Sequence, residues 1–337
     1  MTIQKVIDYC LNTPKNINPA ILESMIRELM EKGETSVFVN GVNYKKLSEA
    51  ITAAEAGAEV VLIEDVKEEK NIEITKNLTI NLNGNKISSK DNFPIRVTNE
   101  ATLTIIGNKD SIIEGNVVVG KGNGSNGHLI IDGGTYIMDV PNEAPILTNG
   151  SCNNSSITIK NAKIKSADVA AYLPAGGKYV FENCEFDGAT GLYIKSGNIE
   201  LINCTISATG EQFAPVPNGN GGDTTGDGII LDSKKGYNGN MSLTIKGNSV
   251  ISSENGYAIH EALTDLTTSA TVGLAIEDGK FSGKKYAFKA SEAFDAGVAE
   301  NKINCEIAGG VYSSLIDEKY LAKGKECVSS GIKFIVK

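Results

Sequence analysis

The sequence predicts an all-β fold, a right-handed parallel β-helix with a short N-terminal helical segment, and three observations predict it. Near-copies of one strand-like stretch recur along most of the 337 residues. Their starts lie mostly about 20–30 residues apart, which is the length of one turn of a parallel β-helix. The break inside each copy is Asn, Gly or Asp, the residue types that best tolerate a left-handed backbone.

The first part of the chain, residues 1–34, is predicted to be helical. Asn18 followed by Pro19 is typical of a helix start, because proline is accepted at the first helical position. An apolar stripe follows on one helix face, and such a stripe must be buried against something. We therefore expect an assembly and docking segment, whose contact residues are Ile21, Leu22, Met25, Ile26, Leu29 and Met30.

The second part, residues 35–337, is predicted to form the β-helix domain. It begins with the short strand "SVFV" and an amphipathic helix near 44–56, which Gly57 ends. This helix is expected to cover the open end of the coil. The apolar run "AEVVLIEDV" that follows is predicted to be a buried strand.

The repeats decide between hairpins and a coil. Asn-Gly between alternating runs usually marks a two-residue hairpin, but the second strand type here comes only after a full loop, which indicates a coil. The copies are "LTINLNGNKI" (78–87), "LTIIGNKDSIIEG" (103–115), "LIIDGGTYI" (129–137), "ITIKNAKIKS" (157–166), "YVFENCEFDG" (179–188), "IELINCTISA" (199–208), "LTIKGNSVIS" (243–252), "LAIEDGKFSG" (274–283) and "CEIAGGVYSS" (305–314).

Aligning the copies at their break predicts the inside of a narrow coil. The corner position, predicted to be left-handed, holds Asn161, Asn183, Asn203, Gly133, Gly247, Gly309 and Asp278. The next position is small and holds Ala162, Cys184, Cys204, Gly134, Gly279 and Gly310. Two residues further a large apolar side chain returns: Ile164, Phe186, Ile206, Tyr136, Phe281 and Tyr312.

The cysteines are interpreted as free thiols. Cys184 and Cys204 occupy equivalent places on adjacent coils, which fits a disulfide or metal pair but fits a ladder of small buried side chains better. There is no CxxC pair and no histidine-rich cluster, so neither zinc nor any other metal or cofactor is expected. The remaining cysteines are Cys10, Cys152, Cys305 and Cys327.

Charge and hydropathy exclude several function classes. The net charge is −9 and the only arginines are Arg27 and Arg96, which argues against nucleic acid as a partner. No apolar run approaches the roughly 18 residues of a membrane span, and "MTIQKVIDYC" lacks the features of a signal peptide. The expectation is a soluble protein made in a cytosol.

One long polar loop, residues 209–228, is a candidate for function because long loops on rigid scaffolds often carry it. Its end, "TTGDGI", contains Asp223 and Asp227 and resembles one fragment of the polygalacturonase signature. The companion double-Asp, Gly-His-Gly and Arg-Ile-Lys segments are missing, and Gly-Asp-Gly is also an ordinary turn. No catalytic residue is therefore predicted.

A second motif between the copies suggests a polar strip on one sheet. In "YAIHEA" strand alternation predicts Tyr257 and Ile259 inside and His260 outside, while His128 is expected on the surface. The strip is either an ordinary solvated face or a shallow glycan-binding surface. Its members are Arg96, Lys195, Asp232, His260 and Lys289.

Two segments resemble the pectate-lyase-like (pectin-lyase-like) β-helix domains of bacterial surface and phage proteins. They are "NYKKLSEAITAAEAGAEVVLIEDV" followed by "LTINLNGNKI", and the ending "IAGGVYSSLIDEKYLAKG". Together they frame residues 35–337, and the resemblance implies fold better than activity.

The segment "VIDYCLNTPKNINPAILESMIREL" resembles the leader of head-fibre, or capsid-associated fibre, proteins of tailed phages that infect Gram-positive gut bacteria. The resemblance implies a non-enzymatic structural protein on the virion surface, docked on the phage capsid protein, homotrimeric, and able to bind a cell-surface polysaccharide. A simple helical cap on the coil is the alternative for this segment. For the whole chain the alternatives are a polysaccharide lyase or hydrolase and a bacterial surface adhesin.

Overall fold

A computed structural model describes residues 35–215, 223–232, 240–262 and 272–337. Three sheets, named A, B and C, are wound in that order from successive coils, and each strand pairs in parallel with the strand of the same sheet one coil later. The prediction of an all-β, right-handed parallel β-helix is confirmed. Residues 1–34, with the apolar stripe from Ile21 to Met30, lie outside the described residues.

The strands, numbered in chain order, stack along each sheet in a regular spatial order. Sheet A is β2 (Val42–Tyr44), β1 (Val37–Val39), β3 (Glu59–Leu62), β6 (Leu78–Asn81), β9 (Thr102–Ile106), β12 (His128–Asp132), β15 (Ser155–Lys160), β18 (Gly177–Glu182), β21 (Gly197–Ile202), β24 (Met241–Lys246), β27 (Val272–Ile276) and β30 (Asn304–Ile307). Sheet B is β32 (Cys327–Ser330), β33 (Lys333–Val336), β31 (Gly310–Tyr312), β28 (Lys280–Gly283), β25 (Val250–Ser253), β22 (Thr205–Ala208), β19 (Glu185–Gly188), β16 (Lys163–Ser166), β13 (Thr135–Met138), β10 (Ile112–Glu114), β7 (Lys86–Ser89) and β4 (Val66–Glu68). Sheet C is β29 (Tyr286–Lys289), β26 (Tyr257–Glu261), β23 (Ile229–Leu231), β20 (Thr190–Ile194), β17 (Val169–Leu173), β14 (Ile146–Thr148), β11 (Val117–Val119), β8 (Ile95–Val97) and β5 (Ile72–Ile74).

The corner between sheets A and B uses the predicted left-handed residues. Asn161, Asn183 and Asn203 have φ of 56°, 53° and 53° on consecutive coils. The prediction for Asp278 and Gly309 was wrong by one position, since the positive φ falls on the following residues, Gly279 and Gly310. Gly309 is constrained differently, because a Cβ there would stand 2.4 Å from the backbone oxygen of Glu277.

The inside of the coil is one continuous apolar core. The predicted small ladder is confirmed, since Ala162, Cys184 and Cys204 are at most 2% exposed and both thiols are free. The large residues that follow are also buried. Phe281 stacks on Tyr312 one coil later at 4.9 Å between ring centroids.

Each end of the coil carries a helix that a buried glutamate anchors. Helix α1 (Leu47–Ala53) lies at the N-terminal end within the range expected for a capping helix, and α2 (Glu292–Ala299) lies near the C-terminal end. Glu68 accepts hydrogen bonds from the backbone and hydroxyl of Ser48 in α1, at 3.2 and 2.8 Å. Glu261 accepts from the hydroxyl of Ser291 at 2.8 Å, and Ser291 caps α2.

The two ends of the sheets depart from the parallel pattern. Strand β1 pairs antiparallel with both β2 and β3, and at the other end β33 pairs antiparallel with both β31 and β32. Two short 3-10 turns, Gly122–Gly124 and Glu318–Tyr320, complete the regular structure. Among the described residues, neither helix is long and apolar enough to cross a lipid bilayer.

Candidate functional site

The five residues predicted to form a polar strip all lie on or beside sheet C, but the structure does not bring them together. His260 in β26 pairs with Lys289 in β29, so these two are neighbours on adjacent coils. Arg96 lies in β8, at the far side of the same sheet. Between them the same register row is occupied by Val118, Leu147, Tyr172, Tyr193 and Ile230, most of which are apolar.

Lys195 and Asp232 are buried, which corrects the expectation that they line an accessible glycan-binding surface. Their side chains are 0% and 2% exposed, with 3.6 Å between Nζ and Oδ2. The Tyr193 hydroxyl donates to the same Oδ2 at 2.7 Å, and Lys195 lies 5.1 Å from the centre of that ring. The physical reason is a second apolar cluster on the outer face of sheet C, formed by Ala144, Val169, Tyr193, Ile230 and Ala262.

Arg96 belongs to a separate charged group around Glu73. Lys121 Nζ lies 3.2 Å from Glu73 Oε1, and the Thr98 hydroxyl donates to the same oxygen at 3.0 Å. Burial raises the pKa of Glu73, but these hydrogen bonds and the charges of Lys121 and Arg96 outweigh it and lower the pKa below its usual value. The charge of Arg96 therefore acts within this local group, on Glu73.

His128 has partners that the sequence did not reveal. Its Nδ1 lies 2.8 Å from the Ser156 hydroxyl and its Nε2 lies 3.3 Å from Glu100. The side chain is half-buried on the outer face of sheet A, so it is held in place on that surface.

The loop end that contains Asp223 and Asp227 is built into the coil. The backbone N–H groups of Thr225 and Gly226 both donate to the Thr190 hydroxyl, at 2.8 and 3.0 Å. Asp227 is 0% exposed, and its Oδ1 accepts from the Tyr257 backbone at 2.9 Å. The middle of the predicted 209–228 loop, residues 216–222, lies outside the described residues.

Asp227 also fixes a histidine. Its Oδ2 lies 2.8 Å from His260 Nδ1, while the His260 side chain is 12% exposed. Because a carboxylate oxygen accepts, Nδ1 is the donor in this bond, and Nε2 is the ring nitrogen left for a ligand. No hydrogen-bond partner of Nε2 occurs in the described part of the chain.

A half-exposed aromatic surface stands over this dyad, and we call it the tyrosine patch: Tyr257, His260, Lys285, Tyr286 and Lys289. The two tyrosine rings stack with 6.3 Å between centroids and 6° between planes, and Tyr286 is 56% exposed. The His260 ring lies 4.8 Å from that of Tyr257. Lys285 Nζ lies 5.7 Å from the same ring, and Lys289 is exposed beside His260.

Two details describe the setting of the patch. Burial, with Asp227 and Tyr286 adding to it, raises the pKa of Tyr257 above its usual value, so the phenol is neutral at pH 7. The Gln212 side chain accepts a hydrogen bond from Lys285 and thereby joins the described start of the long loop to the patch. Phe213, the next residue, is 58% exposed.

Tyr257 was predicted to point inside, and this prediction was wrong. Strand β26 bends so that two successive residues, Ala258 and Ile259, face the core, which leaves Tyr257 outside. The signal was present in the sequence as a row of small residues on successive coils: Ala170, Gly191, Gly228, Ala258 and Ala287. A Cβ on Gly191 would stand 2.4 Å from a methyl of Ile206, so a larger side chain at this position would collide with the core.

No metal site is found where the structure describes the chain, since no group of three His, Cys, Asp or Glu side chains converges there. The chemistry available at the patch is aromatic stacking, cationic contact and one oriented imidazole.

The comparisons with known proteins agree with the fold. Residues 146–303 match the family model described as "Right handed beta helix region", a span that includes β14 to β29 and the tyrosine patch. The chain therefore folds as a right-handed parallel β-helix. No curated protein and no solved structure matches the chain.

Proposed function

We propose that this β-helix protein is a non-enzymatic carbohydrate-binding protein that holds its glycan at the tyrosine patch. The observation that carries the proposal is the exposed, parallel stacking of Tyr257 and Tyr286 on adjacent coils. The apolar face of a sugar ring packs on an aromatic ring, and two rings on one rigid sheet are ordered before the ligand arrives.

The polar groups around the rings complement a sugar. His260 Nε2 can accept a sugar hydroxyl, because Asp227 already holds the other ring nitrogen. Lys285, near the Tyr257 ring, and Lys289, next to His260, are exposed donors. A few placed polar groups beside an apolar surface are the usual composition of a small-molecule site.

Binding without turnover is supported by the state of Asp227. A glycoside hydrolase needs two carboxyl groups facing the scissile bond, one of them as an acid. Here both oxygens of Asp227 are occupied by groups of the same chain, and the side chain is fully buried. The carboxylate therefore acts on His260 and on the backbone of Tyr257.

The test is a printed array of neutral and acidic polysaccharides probed with the whole chain and with Tyr286→Ala. We expect binding of the whole chain to at least one polysaccharide and a loss of about tenfold or more in Tyr286→Ala, since one stacked ring contributes on the order of 1–3 kcal/mol. Ile130→Ala is the control, because Ile130 is 41% exposed on sheet A. Equal binding by Tyr286→Ala would contradict the proposal.

A polysaccharide-degrading enzyme is the second candidate, and the Asp227–His260 pair favours it. A carboxylate-oriented imidazole with an open Nε2 is a common general base. New reducing ends or unsaturated products from a polysaccharide bound on the array, lost in His260→Gln, would establish this function. We expect neither product.

We further propose that the protein lies on a virion surface, which is supported by the resemblance of residues 1–34 to the leader of phage head-fibre proteins. In this hypothesis the segment joins three copies of the chain and docks on a capsid protein. Met25→Glu with Leu29→Glu should then lower the molar mass measured by light scattering while the circular dichroism of the β-helix is kept. An unchanged molar mass with a lower melting temperature would instead indicate a simple cap.

A further inference from the structure

We infer that the glycan held at the tyrosine patch carries an anionic group, a carboxylate, sulfate or phosphate, which is bound by the ammonium groups of Lys285 and Lys289. The inference rests on the proposed function, because it names the chemical class of the ligand for that same site. It starts from the charges on the outer surface of the coil.

Several lysines on the outer faces of this β-helix pair with a glutamate on a neighbouring coil. Lys160 lies 2.7 Å from Glu182, and Lys246 lies 2.9 Å from Glu200. Such pairs cancel charge at these positions of the ladder.

The two lysines of the patch are arranged differently. Lys285 contacts the amide of Gln212 and the ring of Tyr257, both of which are neutral. Lys289 is exposed next to His260 and forms no ion pair with any residue that the structure describes. The stacked rings therefore have two lysines beside them, and no carboxylate of the described residues pairs with either.

The carboxylate that bonds His260 does not face the ligand side. Asp227 is 0% exposed beneath His260 and is bound by two donors. It orients the imidazole, whereas the accessible groups at the rim are ammonium groups. A sugar ring that stacks on Tyr286 would thus place an acidic substituent against lysine.

The net charge of the chain sharpens the inference. At −9 the molecule as a whole repels a polyanion, so retention of an anionic polymer requires a local site. Charge-assisted hydrogen bonds to an ammonium group are about twice as strong as neutral ones, and they discriminate an acidic sugar from its neutral counterpart.

The experiment is affinity electrophoresis in native gels that contain dextran, carboxymethyl-dextran, dextran sulfate or dextran phosphate. The four probes share one backbone, so differences between them isolate the anion and identify which kind is preferred. The variants are Lys285→Gln with Lys289→Gln, and Tyr286→Ala. The matched control is Lys165→Gln with Lys178→Gln, which removes two exposed lysines from sheets B and A.

We expect at least one anionic dextran to retard the whole chain more than neutral dextran does. The patch double variant and Tyr286→Ala should each weaken retention by about tenfold or more, and the control pair should not. Thermal melting of every variant reports whether the coil is intact.

The outcomes separate the two proposals. If neutral dextran retards the chain as strongly and the double variant binds normally while Tyr286→Ala does not, the anionic inference is wrong and the proposed function stands. If Tyr286→Ala keeps all binding, the proposed function fails as well. Retention by none of the anionic probes, or an equal loss in the control pair, overturns the inference.

Discussion

At the corner between sheets A and B, single residues hold the backbone where most side chains are strained. Asn161, Asn183 and Asn203 keep positive φ on three successive coils, and the Asn183 amide donates to Asn161 at 3.4 Å. Asparagine tolerates this conformation because its short polar side chain can bond locally, whereas a β-branched residue collides with its own backbone.

Asn183→Val is expected to lower the free energy of unfolding by about 1 kcal/mol or more, because valine resists the left-handed conformation. Urea denaturation followed by circular dichroism measures it. Asn183→Gly is the control and should lose less, since glycine accepts this φ. Equal stability of the valine variant and the unchanged chain would contradict the role of the corner.

Asp168 is a residue whose charge the fold disfavours. Burial raises the pKa of Asp168, and the charge of Asp223 raises it further. The hydrogen bond from the backbone N–H of Asn142 lowers this pKa but does not outweigh the burial. A carboxyl whose folded pKa lies above its unfolded pKa stabilises the fold when protonated. That contribution is present below the unfolded pKa of about 3.9 and is lost as pH rises through the folded pKa.

The stability of Asp168→Asn relative to the unchanged chain should therefore rise between about pH 4 and pH 7. Thermal melts at several pH values measure the difference. Asp223→Asn is the matched variant, because it removes the repulsion while Asp168 stays in place. A difference that is constant with pH, or one that falls, would show that the burial of this carboxyl has no energetic consequence.

At the scale of the elements, a carboxylate on a β-strand holds the N-terminus of each capping helix. The N-cap of α1 is Lys46, whose side chain makes no capping bond, so Glu68 supplies the acceptor from β4. In α2 the hydroxyl of the N-cap residue Ser291 accepts a hydrogen bond from the backbone N–H of Phe294 and donates one to Glu261. Carboxylates at helix N-termini are favourable because the N–H groups there lack partners within the helix.

Glu68→Ala should cost about 1–3 kcal/mol, because it leaves the backbone and hydroxyl donors of Ser48 unpaired in a partly buried place. Thermal unfolding and hydrogen exchange of residues 47–53 are the measurements. The control is Glu69→Ala at the next position, whose side chain is 72% exposed and 4.0 Å from Lys90. We expect it to change stability by less than about 0.5 kcal/mol. An equal effect of the two variants would show that Glu68 does not anchor α1.

At the scale of the whole molecule, the coils share one core, and its side chains leave solvent only when neighbouring coils separate. Cys184 and Cys204 are 1% and 0% exposed, and their thiols donate to backbone oxygens of the coil before, at 3.3 and 3.2 Å. The adjacent Cys204 thiol, together with burial, raises the pKa of Cys184, so its thiolate is scarce.

Labelling with a thiol reagent should therefore modify Cys184 and Cys204 only as fast as the coil unfolds. Mass spectrometry of digested, time-sampled protein measures each site separately. Cys327 is half-buried in the antiparallel end and should react first among the described cysteines. Native-state labelling of Cys184 at the rate of an exposed thiol would show that the coils open independently.

The sequence by itself determined the coil, because its decisive features are local and repeat. The corner asparagines, the small ladder from Ala162 to Cys204 and the apolar residues after it follow from backbone sterics and from the width of the interior. The one-position error at Asp278 and Gly309 arose where two candidate residues are adjacent, so that local preference alone does not choose between them.

Only the tertiary structure decided the candidate site. Strict alternation predicted that Tyr257 points inside and that Lys195 and Asp232 are exposed. In the structure the bend in sheet C turns Tyr257 outward. The Lys195–Asp232 ion pair is buried beside Tyr193, a member of the second apolar cluster. The Asp227–His260 pair joins residues 33 positions apart, and the Tyr257–Tyr286 pair joins adjacent coils. The physical reason is that exposure and pairing on the outer face depend on what packs against it, and a repeat pattern records only what the interior requires.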